Sequence, residues 1–568
     1  MATVDVEMAA TSQTTTTTRP TARKPRGILQ LTVDVPYSTK SNNATPRPVR
    51  WRTPEFMAYF VVLIIALPLG ILTVMRLSDS SHPNYPQYAR RLSTSSIIPW
   101  RKVDNSDHQY RTFRNNIPAL TGLAALFFIT KGVYARFQPS TPETRIRFIF
   151  VFAVAMQLGL HGAGALKVAT ILCANFAIGR ALKDSRVLPF ANWAFNLVVL
   201  FANERYDGYR FASLHPMLGA LDSLSGAYPR WHITFNITML RLISFNMDWH
   251  WASRRVESLD TGGELSEKQR LATSHELSVY ESFENYVTYI LYPPLYIAGP
   301  IMSFNDFLWQ IRRPVPLSAK ETIGYAMRFL VCLGTMELIL HYMYVVAIKD
   351  SRAWAGDTPA QLCMLGFWNL IVVWLKLLIP WRFFRLWALA DGMQPPENMV
   401  RCMANNYSAL AFWRTWHRSY NLWTVRYIYV PVGGARRQLP AMVLVFTFVA
   451  LWHDLQLRLL MWGWLISLFV LPEILAHWAV PEAKFGKEGW YRHLCAAGAV
   501  GNILMMMAAN LVGFVLGVDG TKYLLSQLFG TFAGWQFLFV ASAVIFVVVQ
   551  LMFEYREEEM RQGIYRRY

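Results

Sequence analysis

The sequence predicts an all-α membrane protein that crosses the bilayer many times, and three observations predict it. Of its 568 residues, 54% are hydrophobic and only 16% charged, against about 25% charged in an ordinary soluble domain. Aromatic residues reach 14%, with 21 Trp, a content that suits belts of amphipathic rings at the membrane–water interfaces. Apolar runs long enough to span a hydrocarbon core recur along nearly the whole chain. Together they predict one helical bundle of about eleven to thirteen membrane segments, some broken or re-entrant, rather than a string of soluble domains.

Residues 1–52 stand apart. They hold the run Thr14 to Thr18, several prolines and the basic residues Arg19, Arg23, Lys24, Arg26, Arg47, Arg50 and Arg52. Too few apolar side chains are present to bury, so this segment reads as a disordered basic tail. No apolar stretch follows the start, so it does not read as a signal peptide. The first span covers 56–74, inside PEFMAYFVVLIIALPLGILTVMRL, and a polar stretch rich in Ser, Tyr and Arg follows over 79–114. Further apolar runs lie near 117–133, 147–160, 163–182, 188–203, 232–246, 286–303, 323–348, 361–390, 407–431, 440–452, 459–478, 494–517 and 533–553. Residues 53–553 therefore form one helical domain. It is interrupted at 251–284, where SRRVESLDTGGELSEKQRLATSHELS reads as an exposed, cytosolic loop with one helical piece. Residues 554–568 form a charged tail mixing Glu557, Glu558 and Glu559 with Arg556, Arg561, Arg566 and Arg567.

The formal net charge is +19. A nucleic-acid partner would need a soluble basic face, and no such module is legible. Attraction to anionic lipid head groups, with loop charges that set orientation, accounts for the excess. The five cysteines, Cys173, Cys332, Cys363, Cys402 and Cys495, are scattered and form no CxxC pair. They indicate neither a disulfide framework nor a zinc site.

Polar groups placed where lipid makes them expensive are the candidates for chemistry. His453 ends a nearly unbroken apolar run in AMVLVFTFVALWHDLQLRLLMWGW. A neutral imidazole in a dry cavity can take a proton from a hydroxyl; a histidine merely hydrogen-bonded at a helix end is the other reading. His417 lies in ALAFWRTWHRSYNLWTVRYIYVPVGG, among Trp413, Trp416 and Trp423. On a continuous helix Arg414, His417 and Asn421 would share one face, able to hold a phosphate or a carbonyl. An interfacial helix with aromatic anchors explains the same pattern. In YVTYILYPPLYIAGPIMSFNDF, residues 286–307, Pro293, Pro294, Gly299 and Pro300 predict a broken segment lining a cavity or a kinked structural helix. No phosphate loop, GxSxG elbow or HExxH motif is present, which favours direct transfer over a covalent acyl-enzyme.

FWRTWHRSYNLWTVRYIYVPVGG and FVALWHDLQLRLLMWGW together resemble the two motifs of the membrane-bound O-acyltransferases, over roughly residues 110–550. YPPLYIAGPIMSFNDF and the VPVGG ending resemble a fungal branch, related to the Hedgehog acyltransferases, to which a role in glycerol uptake is also ascribed. The resemblance implies helices around an acyl tunnel, with His453 as the residue that activates an acceptor hydroxyl for attack on an acyl-CoA thioester. His417 would assist, and Asn421, Arg414, Trp416, Trp452 and Asp454 would line the substrates. The implied acceptor is a lyso-GPI-type lipid, remodelled in the endoplasmic reticulum membrane. Two positions depart from the pattern: Asp454 follows the motif histidine where many members have Gly, and His417 stands where Hedgehog-type relatives carry an acidic residue. The second departure favours a hydroxyl over an amine. Cys402 resembles a haem-linked cysteine of the Hedgehog branch, but the chemistry requires no cofactor and no metal. A glycerol/proton transporter is the alternative, since carriers also use broken helices and intramembrane charges.

Overall fold

In lipid, a run of some twenty apolar residues can satisfy its backbone polar groups only by coiling into a helix. In the computed structural model, which describes residues 47–254, 265–453 and 457–566, ten helices are long and apolar enough to cross a membrane. They are Pro54–Leu77, His108–Phe137, Pro142–His161, Gly164–Leu182, Ala319–Tyr342, Pro359–Ala390, Gly434–His453, Leu459–Ala479, Tyr491–Val515 and Phe532–Arg561. The remaining segments expected from the sequence are the shorter helix Leu188–Arg205, the buried helix Trp231–Ser253, the broken stretch after residue 283, and the run 407–431, which forms the short helices Ala409–Thr415 and Arg418–Thr424. The named strands among the described residues form one antiparallel ribbon, Leu92–Thr94 against Lys102–Asp104. The chain is an all-α polytopic membrane protein. Its first spanning helix turns Ile64, Ile65, Leu67 and Leu69 outward, an exposure that only a hydrocarbon solvent makes favourable.

The bundle is organised around the helix Trp231–Ser253. Leu240, Leu242, Ile243, Phe245 and Trp249 on it are all at 0% exposure, so protein surrounds it on every side. Its polar residues are therefore paired inside. Asn246 donates to Asn175 and Asn192. Arg241 donates to the carbonyls of Ile290 at 2.8 Å and of Leu295. Those carbonyls lie where the prolines break the neighbouring segment into Phe283–Ile290, Pro293–Tyr296 and Phe304–Arg312. A proline-broken helix leaves such carbonyls without intrahelical donors, and a buried guanidinium supplies them.

Two expectations from local charge are corrected. Residues 265–284, the second half of the expected exposed loop, are only partly exposed: Glu267, Arg270, His275 and Tyr280 are buried, while Lys268, Glu276 and Glu281 stay at the surface. The buried charges find partners far along the chain, Glu267 with Arg418 and Arg270 with Asp306. Residues 255–264 of that loop lie outside the described residues. The C-terminal tail is likewise not a free tail, because the last long helix runs on to Arg561. Glu554, Glu557 and Glu559 are buried there. Arg492 donates to Glu557 at 2.6 Å, Arg401 to Glu559 at 3.0 Å and Arg566 to Glu559 at 2.7 Å. The same cluster takes in the described end of the N-terminal segment: Arg47 reaches Glu557 at 3.3 Å, and the Arg50 amide reaches Glu554 at 3.0 Å. Residues 1–46 of the expected tail lie outside the described residues.

Candidate active site

The stretch around His417 is not the continuous helix its sequence suggests. One helix, Ala409–Thr415, ends, and a second, Arg418–Thr424, begins. His417 sits between them in the left-handed region at φ 46°, ψ 52°, a conformation that costs a residue with a Cβ about 1–3 kcal/mol. The turn is held from outside. Trp416 bridges Met399, the Arg418 amide donates to Asn398 O at 3.0 Å, and the Ser419 amide donates to Asn398 Oδ1 at 3.1 Å. Buried Arg418 adds two hydrogen bonds to Glu267, at 2.9 and 2.7 Å. The expected common face of Arg414, His417 and Asn421 is thus broken at its middle residue. Arg414 is exposed on the first helix, and Asn421 is half-buried on the second.

What the break achieves is an aromatic column. Trp381, from Pro359–Ala390, lies nearly parallel to the His417 ring at 4.5 Å and 22°, and Tyr420 at 5.2 Å and 17°. Tyr420 stacks in turn on Trp452 at 4.6 Å. Trp452 belongs to the helix Gln438–His453, and its ring lies 6.5 Å from that of His417 and 4.8 Å from that of His453. The Trp452 ring is thus a shared neighbour of the two imidazoles. His453 is the last described residue of its helix and is exposed, whereas Trp452 beside it is buried. Asp454 lies outside the described residues.

The helix that follows His417 also borders a small cavity lined by Ser303, Ser419, Leu422, Trp423 and Arg426. Neither histidine lines it, and Arg426 there is paired with Asp248 at 3.0 Å. Cys402 is exposed, on the turn before Ala409–Thr415. Among the described residues, no group of three or more His, Cys, Asp or Glu side chains is arranged to hold a metal ion. Local sequence reasoning did not find Trp381, Tyr420 or Asn236, all of which touch this column.

The family model of the membrane-bound O-acyltransferases (MBOAT) matches residues 219–518, a range that contains both histidines and the whole aromatic column. The chain belongs to the membrane-bound O-acyltransferase family. It is 44% identical over 543 residues to the membrane-bound O-acyltransferase GUP1 of Saccharomyces cerevisiae, covering 93% of this chain and 96% of that one. It is 39% identical over 573 residues to GUP2 of the same yeast, covering 96% and 93%. A more distant relative is the mouse protein-cysteine N-palmitoyltransferase HHAT, 28% identical over 196 residues, or 33% of this chain and 39% of that one. The fold expected of this family, a multi-pass helical bundle, is the one described above.

Proposed function

We propose that this O-acyltransferase moves a fatty acyl chain from acyl-CoA to a hydroxyl of a membrane lipid, with His453 as general base. The observation that carries the reading is the placement of His453: an exposed residue on an apolar helix, against a Trp452 ring that is also a neighbour of a second imidazole, His417. The steps balance simply. Neutral His453 takes the acceptor proton, and the oxygen attacks the thioester carbonyl. The carbon–sulfur bond breaks as the new ester forms, and the imidazolium returns its proton to the departing thiolate. Asn421, Trp416 and Asp454 fit as substrate-lining residues, and exposed Arg414 as a phosphate contact at the mouth of the site. The acceptor class, a lyso-GPI-type lipid in the endoplasmic reticulum membrane, rests on the resemblance of YPPLYIAGPIMSFNDF and the VPVGG ending to the fungal branch.

Thioester acyl transfer needs no cofactor. If a haem is held, exposed Cys402 is the residue to ligate its iron. Arg382 is a charge partner to match: its Nη1 donates to Cys332 Sγ at 3.0 Å, and its Nε is buried without a partner among the described residues. Such a group would stand apart from the acyl-transfer step.

His453→Ala is expected to lose acyl transfer from acyl-CoA to a lyso-GPI acceptor in membranes by at least about a hundredfold. Normal turnover in a folded variant removes His453 from the mechanism. Glycerol uptake by the purified protein in liposomes without acyl-CoA would favour a carrier instead.

A further inference from the structure

Asn236 and Trp452 hold each other by two hydrogen bonds. The Asn236 side-chain amide donates to the Trp452 carbonyl at 3.3 Å, and the Trp452 indole N–H donates to the Asn236 carbonyl at 2.9 Å. Each bond fixes a different part of the site. The Trp452 carbonyl belongs to the peptide unit that leads into His453, so a bond to it from another helix fixes the backbone that carries the imidazole. The indole bond sets the ring that lies against both imidazoles and is stacked on Tyr420 at 4.6 Å. The anchor is well chosen for this, because Asn236 belongs to the helix that protein surrounds along most of its length.

We propose that Asn236 is a positioning residue: through Trp452 it holds the His453 imidazole in register with His417 and with the bound acceptor. The inference rests on the reading of His453 as the base. An imidazole displaced by about 1 Å from an attacking hydroxyl costs on the order of a hundredfold in rate, and that loss falls on the chemical step. Loss of Asn236 should therefore appear in kcat and spare KM.

The test uses the full chain in proteoliposomes, with palmitoyl-CoA as donor and lysophosphatidylinositol as the acceptor probe, and with free CoA release recorded in the same assay so that water can also serve as acceptor. Asn236→Ala is expected to lower kcat about tenfold or more, with the KM for palmitoyl-CoA within about twofold of the parent. Asn236→Gln, which keeps the donor amide, should recover much of that loss. Trp452→Phe, which removes the indole donor together with part of the stack on Tyr420, is the second variant and should show the same split. His453→Ala is run alongside. If His453→Ala is inactive but Asn236→Ala and Trp452→Phe keep kcat within about twofold, the positioning role is overturned and the base remains. If His453→Ala is active, the base reading falls and the positioning role falls with it. A loss confined to KM, or one that Asn236→Gln does not relieve, also overturns the proposal.

Discussion

Breaking the Glu267–Arg418 pair tests whether the turn at His417 is held from a distance. Both side chains are 7% accessible and joined by two bonds of 2.9 and 2.7 Å. Two unit charges about 4 Å apart at an effective dielectric near 20 attract by about 4 kcal/mol. Removing one partner of a buried pair costs about 3–5 kcal/mol, because the other charge is left without compensation. Glu267→Gln keeps one acceptor and should sit near 3 kcal/mol, with Arg418→Met near 4 kcal/mol. Replacing both by Met removes the stranded charge, so the double variant should be far less damaged than the sum of the two. A coupling of about 2 kcal/mol or more is expected. The assay is thermal unfolding of the detergent-solubilised chain. Each single variant should lower Tm by roughly 5 °C, and the double variant should recover most of that loss. If the double variant falls as far as the two singles combined, with coupling under about 1 kcal/mol, the pair acts like a surface bridge, and the argument for the turn fails.

The same pair predicts a pH dependence. Burial pushes the Glu267 carboxyl up, but Arg418, together with Arg270 and Arg385 behind it, holds the group below its usual value near 4.5. A depressed folded pKa contributes stability above the unfolded value that is lost as pH falls through the folded one. The Tm advantage of the parent over Glu267→Gln should therefore persist at neutral pH and shrink as pH is lowered below about 4.5. At His417, Asn tolerates the left-handed conformation and Ile does not. His417→Asn should lose only the two ring contacts, about 0.5–1.5 kcal/mol each, while His417→Ile should lose about 1–3 kcal/mol more, read as a further drop in Tm. Deleting residues 554–568 strands Arg401 and Arg492, whose side chains are 0% and 5% accessible. Two broken buried pairs approach the whole stability of a typical fold, so the truncated chain should give no monodisperse peak on size-exclusion chromatography.

The apolar runs were legible because lipid leaves the backbone only one answer, and the break at Pro293, Pro294 and Pro300 was legible because proline cannot donate. The turn at His417 could not be read. TWHRSYNLW carries no Gly or Pro, and the left-handed residue is held by Asn398, Glu267, Trp381 and Tyr420, of which only Tyr420 is a near neighbour in sequence. The charges at 265–284 and 554–561 read as solvated for the same reason. Their partners, Arg418, Asp306, Arg401 and Arg492, lie tens to more than a hundred residues away, and local charge density carries no record of such pairings. Asn236 was obscured in another way: what gives it meaning is its bonding to Trp452, 216 residues downstream.

The contacts of Arg47 with Glu557 and of the Arg50 amide with Glu554 impose a parity on the membrane topology. Residues 47–50 and 554–557 touch, so they lie on one side of the bilayer. A chain that leaves a face and returns to it has crossed an even number of times. The ten long apolar helices between and including these points satisfy that condition, and an odd count of full crossings is excluded. The helix Leu188–Arg205, the enclosed helix Trp231–Ser253 and the broken stretch of 283–303 must then add an even number of crossings between them. Reporters fused near residue 47 and after residue 561 should read the same compartment.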